Sequence, residues 1–436
     1  MNKKIGNIFK GDKGIWMVFF FLCMISIVEV FSASSNLTYK SQNYIGPIAF
    51  HTVTIVIGAL TAVITLNIPC RYFKLMTPFL LIISGLTLLW VLVGGESING
   101  ANRVISLPGG VTFQPSEIAK GTMVLITAQI LSAMQREDGA DKKAFKYILC
   151  IVLPTAALIG IENLSTAALL FAVIFLMMFI GRVPLSQMGK LVGGAVILVA
   201  IFLTMVFTLG SIGTSERENE QTVEAVQAGG STDTKVIKGG GVFHRFVTWR
   251  NRIVKHIDKK EITPEEYDLD KDAQVAHANI AIVSSNIIGK GPGQSVERDF
   301  LSQAFSDFIY AIVIEELGII GAAFVVLLYI VLLYRAARIA SRCENNFPAF
   351  LVMGLALLLV IQATFNMLVA VGIAPVTGQP LPLISKGGTS TIINCAYIGV
   401  ILSVSRSAKK RPEKIAVKEI ELVILHANRK KVWKKS

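Results

Sequence analysis

The sequence predicts an all-α polytopic membrane protein, and three observations carry that prediction. Of 436 residues, 53% are hydrophobic and only 16% are charged, whereas soluble domains carry about 25% charged residues. The mean hydropathy is +0.61. Apolar runs long enough to cross hydrocarbon as helices recur along the chain, and basic residues alternate between the loops that join them.

Windows of about 20 apolar residues place ten spans, at 15–33, 46–68, 75–94, 115–134, 146–161, 165–181, 190–210, 308–334, 349–372 and 389–405. The fifth and sixth are short, and only Glu162-Asn163-Leu164 separates them. The first run follows Lys3, Lys4, Lys10 and Lys13. It is too long for a signal-peptide core and shows no small-x-small cleavage pattern, so it reads as an uncleaved span. Ten spans put residues 1–14 and the tail after residue 405 on one side. Loops on that side carry Arg71 and Lys74; Arg136, Lys142, Lys143 and Lys146; Arg182 and Lys190; and Arg335, Arg338 and Arg342. Short loops on the other side carry Lys40, Arg103 and Lys386. This bias predicts that both termini are cytoplasmic.

The net charge of +13 raises the question of nucleic acid. Its distribution follows membrane topology instead. Arg406 to Lys435 holds eleven basic residues, which suit anionic lipid. Cys23, Cys70, Cys150, Cys343 and Cys395 fall in or near spans, so no disulfide framework is implied. The five histidines are scattered and show no metal-ligand spacing.

The long polar segment 211–303 lies between spans seven and eight and is expected to face outward. Residues 215–241 are rich in Glu, Thr, Gly and Ser and read as mobile. Phe246, Trp249, Ile253 and Ile257 fall at helical spacing among basic residues. An interfacial amphipathic helix and a solvated loop both fit that stretch. Ala276, Ile280, Val283 and Ile287 mark a second amphipathic helix with Gly289 as its stop. No internal repeat is visible.

Asp307 stands out, because it sits where the polar segment ends and an apolar run begins. A charge at the edge of hydrocarbon costs several kcal/mol unless it is used or paired, which makes it a functional candidate. The alternative is an acid complementing the helix dipole. Arg103 lies on a Gly-containing loop between spans three and four, where a guanidinium suits a lipid phosphate. Pro115, Ser116 and Glu117 open span four. Glu117 and Lys120 share a helix face and can pair inside the bundle. Gly289-Lys290-Gly291-Pro292-Gly293-Gln294-Ser295 is a weak match to a phosphate-cradling loop; glycines spaced this way more often just permit a tight re-entry turn. Glu315 and Glu316 lie about 12 Å deeper than Asp307 and cannot both face lipid. Residues 374–390 combine three prolines with glycines and apolar side chains, which describes a re-entrant or surface-packed loop.

Taken in order, these motifs resemble the shape, elongation, division and sporulation (SEDS) family of peptidoglycan glycosyltransferases. The resemblance rests on Asn99-Gly100-Ala101-x-Arg103, Phe113-Gln114-Pro115-Ser116-Glu117-x-x-Lys120, Gly289-x-Gly291-x-Gly293-x-Ser295, Asp307-Phe308-Ile309, Glu315-Glu316-Leu317-Gly318 and Pro380-Leu381-Pro382-x-x-Ser385-x-Gly387-Gly388-Thr389-Ser390. It implies a ten-helix bundle with a large outward loop between helices seven and eight. It also implies polymerisation of lipid II, with a class B penicillin-binding protein as transpeptidase partner and other divisome membrane proteins nearby. The family's essential Asp corresponds to Asp307, and Arg103, Lys386, Ser385, Glu117, Lys120 and Asn99 become substrate-binding candidates. A divalent cation, Mg or Mn, could share the charge on the leaving group, although no dedicated ligand cluster is visible. The loop 380–385 and the basic tail resemble the cell-division branch more than the elongation branch. The chain departs from the family pattern at Leu301-Ser302-Gln303-Ala304-Phe305-Ser306, which lacks a Glu and a His, and at Val104, Glu162 and Lys386. A transporter such as a lipid II flippase and a scaffold without chemistry are the rival readings.

Overall fold

The computed structural model describes residues 10–34, 46–98, 101–107, 111–227, 269–301 and 304–408. The helices are α1 (Lys13–Ala33), α2 (Gly46–Asn67), α3 (Cys70–Gly94), α4 (Pro115–Ala133), α5 (Lys142–Glu162), α6 (Leu164–Ile180), α7 (Leu185–Gln227), α8 (Leu269–Val283), α9 (Ile309–Ala340), α10 (Asn346–Ala370) and α11 (Thr389–Ser407). Among the described residues, seven helices are long and apolar enough to cross a membrane: α1, α2, α3, α5, α7, α9 and α10. This is a multi-pass membrane protein.

Local chemistry fixes the helix starts. Asp12 caps α1 by accepting from the amides of Gly14 and Ile15 at 2.9 and 3.2 Å. Asp141 caps α5 and Asn163 caps α6 in the same way. Pro115 occupies the first turn of α4, where its missing N–H costs nothing.

Helices α4 and α11 fall outside the set of seven because they turn polar groups inward. Ser116, Glu117, Lys120, Thr122 and Thr127 of α4 are buried, as are Ser390, Thr391 and Asn394 of α11. The exterior is apolar instead: Phe20, Phe31, Leu60, Ile64, Phe79 and Trp90 are all exposed. Hydrocarbon would cover such a surface, whereas water would not tolerate it. Helix α10 lies at the centre, and α7 lies at the periphery.

Several expectations need correction. The loop between α3 and α4 holds a three-stranded antiparallel sheet: β1 (Glu96–Ile98), β2 (Ala101–Leu107) and β3 (Val111–Phe113), in the order β1-β2-β3. Its register pairs Ile105 with Phe113 and Ser97 with Asn102. Val104, Ile105, Val111 and Thr112 are strand-favouring residues that an all-helical reading passes over. A further two-residue ladder, β4 (Gln135–Arg136) with β5 (Gly139–Ala140), joins α4 to α5. Helix α7 runs on to Gln227, past the expected end at 210 and into the segment expected to be mobile. The run Glu216 to Gln227 has no Gly or Pro to stop it. The remainder of 215–241 and the stretch 246–257 lie outside the described residues.

Helix α8 forms but ends at Val283, and it buries a different face. Ala276, Ala278 and Ala281 are buried, whereas Ile280, Val283 and Ile287 are exposed. Its small residues pack close to Ala304, Phe308 and Ala311, and its large ones point away.

The end of the bundle remote from this sheet is latched by charge. Arg335 of α9 donates to Asp12 from Nε at 2.9 Å and from Nη2 at 2.5 Å, and the Asp12 amide donates to Ser405 Oγ of α11 at 2.9 Å. Burial tends to raise the Asp12 pKa, but the Arg335 bond and the α1 amides outweigh it and hold the carboxyl below its ordinary value. A depressed carboxyl stabilises the fold above its unfolded pKa and loses that contribution as pH falls through the folded value. Asp12→Asn keeps the cap but not the charge. The parent is therefore expected to melt above this variant at neutral pH, with the gap closing below about pH 4 in detergent melting curves.

Candidate functional site

The site is built where residues 304–308 turn into α9 and meet the loop 371–388. Asp307 is 8% exposed, and one of its carboxylate oxygens accepts from Ser306 Oγ at 3.0 Å. The N-cap of α9 is Phe308, and Asp307 stands one residue ahead of it. Its main-chain carbonyl accepts from Asn366 Nδ2 of α10 at 2.9 Å.

The loop 371–388 folds back into the bundle. Leu381, Leu383, Ile384 and Ser385 are buried. Tyr329 donates to the Pro382 carbonyl, Ser26 to that of Ile384 at 2.7 Å and Gln362 to that of Pro380 at 3.1 Å. Irregular backbone survives at this depth because side chains from three helices satisfy it. Lys386 closes the loop. Its amide donates to the Phe305 carbonyl at 2.9 Å, and its ammonium lies 5.2 Å from the centre of the Phe305 ring. Burial pushes its pKa down. Among the described residues no carboxylate lies within salt-bridge distance of it. A half-buried cation without a counter-ion is suited to binding an anion.

The other candidates divide. The Ser385 hydroxyl is turned inward, donating to the Ser306 carbonyl at 2.6 Å and accepting from the Leu381 amide at 2.8 Å. Glu117 and Lys120 are buried in α4 and pair at 2.8 Å, and Lys120 also donates to Gln362 Oε1 at 2.7 Å. Arg103 has its backbone on β2; its side chain lies outside the described residues, as does Asn99.

The glycine-rich loop cradles carboxylates of its own chain. Gly293 and Ser295 donate their amides to Glu316 at 2.9 and 3.2 Å, and Val296 donates to Glu315 at 3.1 Å. Lys290 and Ser295 Oγ also bind Glu315, at 2.6 and 2.5 Å. Arg298 lies 3.9 Å from Glu316. Both acids are fully buried, and both are used structurally. Helix α9 breaks at Gly318, with φ 70° and ψ −174°, to let this loop in, and Gly289 stands opposite with φ 85°. A Cβ on Gly289 would come within 2.3 Å of the Glu316 carbonyl oxygen. Gly289→Ala is therefore expected to cost more than the ~1–2 kcal/mol of left-handed backbone alone, read as a lowered melting temperature in detergent.

Sequence reasoning missed Asn366, Gln379 and Thr166, which bond one another around the Asp307 main chain. It also missed Glu29, fully buried on the same face of α1 as Ser26 and Ser32. For Glu29 the available signal was a charge inside an otherwise uncharged apolar run. It missed His277 of α8 as well, whose Nδ1 lies 2.6 Å from Glu297 and whose ring stacks on Phe300. Among the described residues no group of three or more His, Cys, Asp or Glu side chains could hold a metal.

Comparison with known proteins fits this architecture. Residues 12–410 match the FtsW/RodA/SpoVE family model, described as cell cycle protein. The chain is 28% identical over 400 residues to the peptidoglycan glycosyltransferase MrdB of Escherichia coli (strain K12), covering 91% of this chain and 94% of that one. It is 26% identical over 403 residues to the probable peptidoglycan glycosyltransferase FtsW of Coxiella burnetii, covering 89% and 95%. Among solved structures, a chain from a study of polymerization and crosslinking by a peptidoglycan synthase complex matches with TM-score 0.64 and 24% identity, covering 92% of this chain and 99% of that one. The Thermus thermophilus rod shape determining protein RodA matches with TM-score 0.59 and 21% identity, covering 93% and 99%. With a family model spanning almost all of its length and a fold shared with RodA, the chain belongs to the FtsW/RodA/SpoVE family, the SEDS proteins.

Proposed function

We propose that this protein is a peptidoglycan glycosyltransferase that polymerises lipid II into β-1,4-linked glycan strands for septal wall synthesis in cell division. The observation that carries the reading is that Asp307 and Lys386 lie on neighbouring segments, joined by one backbone and one side-chain hydrogen bond. Among the described residues the Lys386 ammonium has no carboxylate within salt-bridge distance. Glycosyl transfer needs both kinds of group: a base for the acceptor hydroxyl and positive charge for the departing pyrophosphate.

In this mechanism Asp307 takes the proton of the acceptor 4-hydroxyl. The oxygen attacks the anomeric carbon of the donor from the face opposite the pyrophosphate. One C–O bond forms, the C–O bond to phosphate breaks, and the α-linked donor becomes a β-linked product. No covalent enzyme intermediate is needed. Asp307 then returns its proton to water. Lys386 and Arg103 offset the charge on the pyrophosphate. A divalent cation, Mg or Mn, would share that work when bound. Such ions commonly take one or two carboxylates and draw their other ligands from phosphate and water; among the described residues no larger ligand group converges, so the substrate's phosphates and water would supply most of the ligands, with Asp307 as the nearby carboxylate.

The same reading gives ten crossings, α4, α6 and α11 adding to the seven, with the segment after α7 outside and both termini in the cytoplasm of the inner membrane. The expected partner is a class B penicillin-binding protein, in line with the coupling of polymerization and crosslinking named for the related complex; other divisome membrane proteins would join it. The test is incubation of the purified protein with lipid II, with and without its transpeptidase. A ladder of glycan strands is expected. Headgroup translocation across vesicles with no ladder under either condition overturns the reading in favour of a flippase.

A further inference from the structure

Three consecutive carbonyl oxygens ahead of α9 are each held by a donor from elsewhere in the chain. Phe305 O accepts from the Lys386 amide at 2.9 Å, Ser306 O from Ser385 Oγ at 2.6 Å and Asp307 O from Asn366 Nδ2 at 2.9 Å. The helix ladder does not hold the third. Its regular partner would be the amide of Ala311, four residues on, but that amide bonds Phe308 O at 2.9 Å instead. The Asp307 carbonyl is thus released from α9 and tied to α10.

Asn366 does more than fill that place. Its second amide hydrogen goes to Gln379 O at 2.7 Å, and Gln379 Nε2 goes on to Thr166 Oγ1 of α6 at 2.6 Å. One side chain therefore fixes both the turn that carries Asp307 and the start of the loop that carries Lys386. Two carbonyl acceptors require two donors on one group. Asn supplies them from a single NH2, while Asp, Leu and Ala supply none. The side chain is 1% exposed, so it meets no substrate.

We infer that Asn366 is a positioning residue for glycosyl transfer, setting the Asp307 carboxylate against the Lys386 ammonium. The inference rests on the assignment of Asp307 as the base. A misplacement of about 1 Å can cost a hundredfold in rate, so the clamp acts mainly on turnover.

The experiment measures kcat and KM for lipid II with folded, monodisperse Asn366→Ala, Ser385→Ala and Asp307→Asn. Asn366→Ala is expected to lose about a hundredfold in kcat, with any rise in KM through the Lys386 loop smaller than that loss. Ser385→Ala, which frees Ser306 O and leaves the Leu381 amide without its acceptor, is expected to lose about tenfold in kcat with KM unchanged. A purely structural role would lower the yield of folded protein but leave kcat per folded molecule at the parent value, and that result overturns the inference. A rise in KM alone for Ser385→Ala also overturns it, because the hydroxyl would then meet substrate. If Asn366→Ala does not fold, Ser385→Ala carries the test by itself. Asp307→Asn separates the two levels of argument. Activity there removes the base assignment, whereas an inactive Asp307→Asn beside a fully active Asn366→Ala removes the clamp alone.

Discussion

Asp307→Asn is expected to reduce glycan-strand formation by about 10³-fold, the middle-to-upper range for loss of a general base, with the melting temperature nearly unchanged. The substitution is isosteric. An amide oxygen at the same place still accepts from Ser306 Oγ, the contact made at 3.0 Å in the parent. The clamp on the main chain is untouched, because Asn366 bonds the Asp307 carbonyl and not its carboxylate. The carboxylate's charge and its capacity to take a proton disappear together. Lipid II should still bind, since Lys386 and the apolar exterior remain, so kcat falls while KM holds. The measurement is strand length and rate on gels, with lipid II binding recorded in parallel. A scaffold or a flippase predicts no effect at this position. Full polymerisation by the variant would leave the protein without an identified base.

Seven of the ten expected spans were legible because hydrocarbon thickness imposes a length, and that length is written in one dimension. Asp307 was legible for a related reason: a charge stands out where an apolar run begins. What surrounds it was not. The glycine-rich loop resembles a phosphate cradle in sequence, yet its amides are taken by Glu315 and Glu316, some twenty residues further along the chain. No local pattern distinguishes an internal carboxylate from a bound phosphate. Ser385 could be read as part of the Pro- and Gly-rich loop, but the direction of its hydroxyl depends on the turn at 304–308. Asn366 looked like one polar residue in an apolar helix. Its role exists only once α10, α9 and the loop are brought together. Helix α8 shows the same limit. Its large apolar residues were the sequence signal, but close packing against Ala304 and Ala311 selected its alanines.

Lys120→Met is expected to be among the most destabilising single changes in the bundle, at about 3–5 kcal/mol, the cost of leaving a buried charge without its partner. Lys120 and Glu117 are 0% and 1% exposed and pair at 2.8 Å. In so dry a setting the removal of the ammonium strands both Glu117 and Gln362 Oε1, which it also binds. Glu117→Gln is milder, because Lys120 keeps its bond to Gln362 and the glutamine amide still offers an oxygen. The double change Glu117→Leu with Lys120→Met removes both charges together. Replacing a buried pair by apolar groups of similar size is often near neutral, so most of the lost stability should return. Melting temperatures in detergent for the three variants give the order: Lys120→Met lowest, Glu117→Gln between, and the double variant near the parent. The same double variant decides what the pair does. If it only joins α4 to α10, polymerisation survives in the double variant. If it binds substrate, the double variant melts normally but needs far more lipid II for the same rate. The structure favours the first outcome, since Gln362, the partner of Lys120, also holds the Pro380 carbonyl at 3.1 Å. That contact ties the pair to the loop carrying Lys386, so Lys120→Met should also loosen the site.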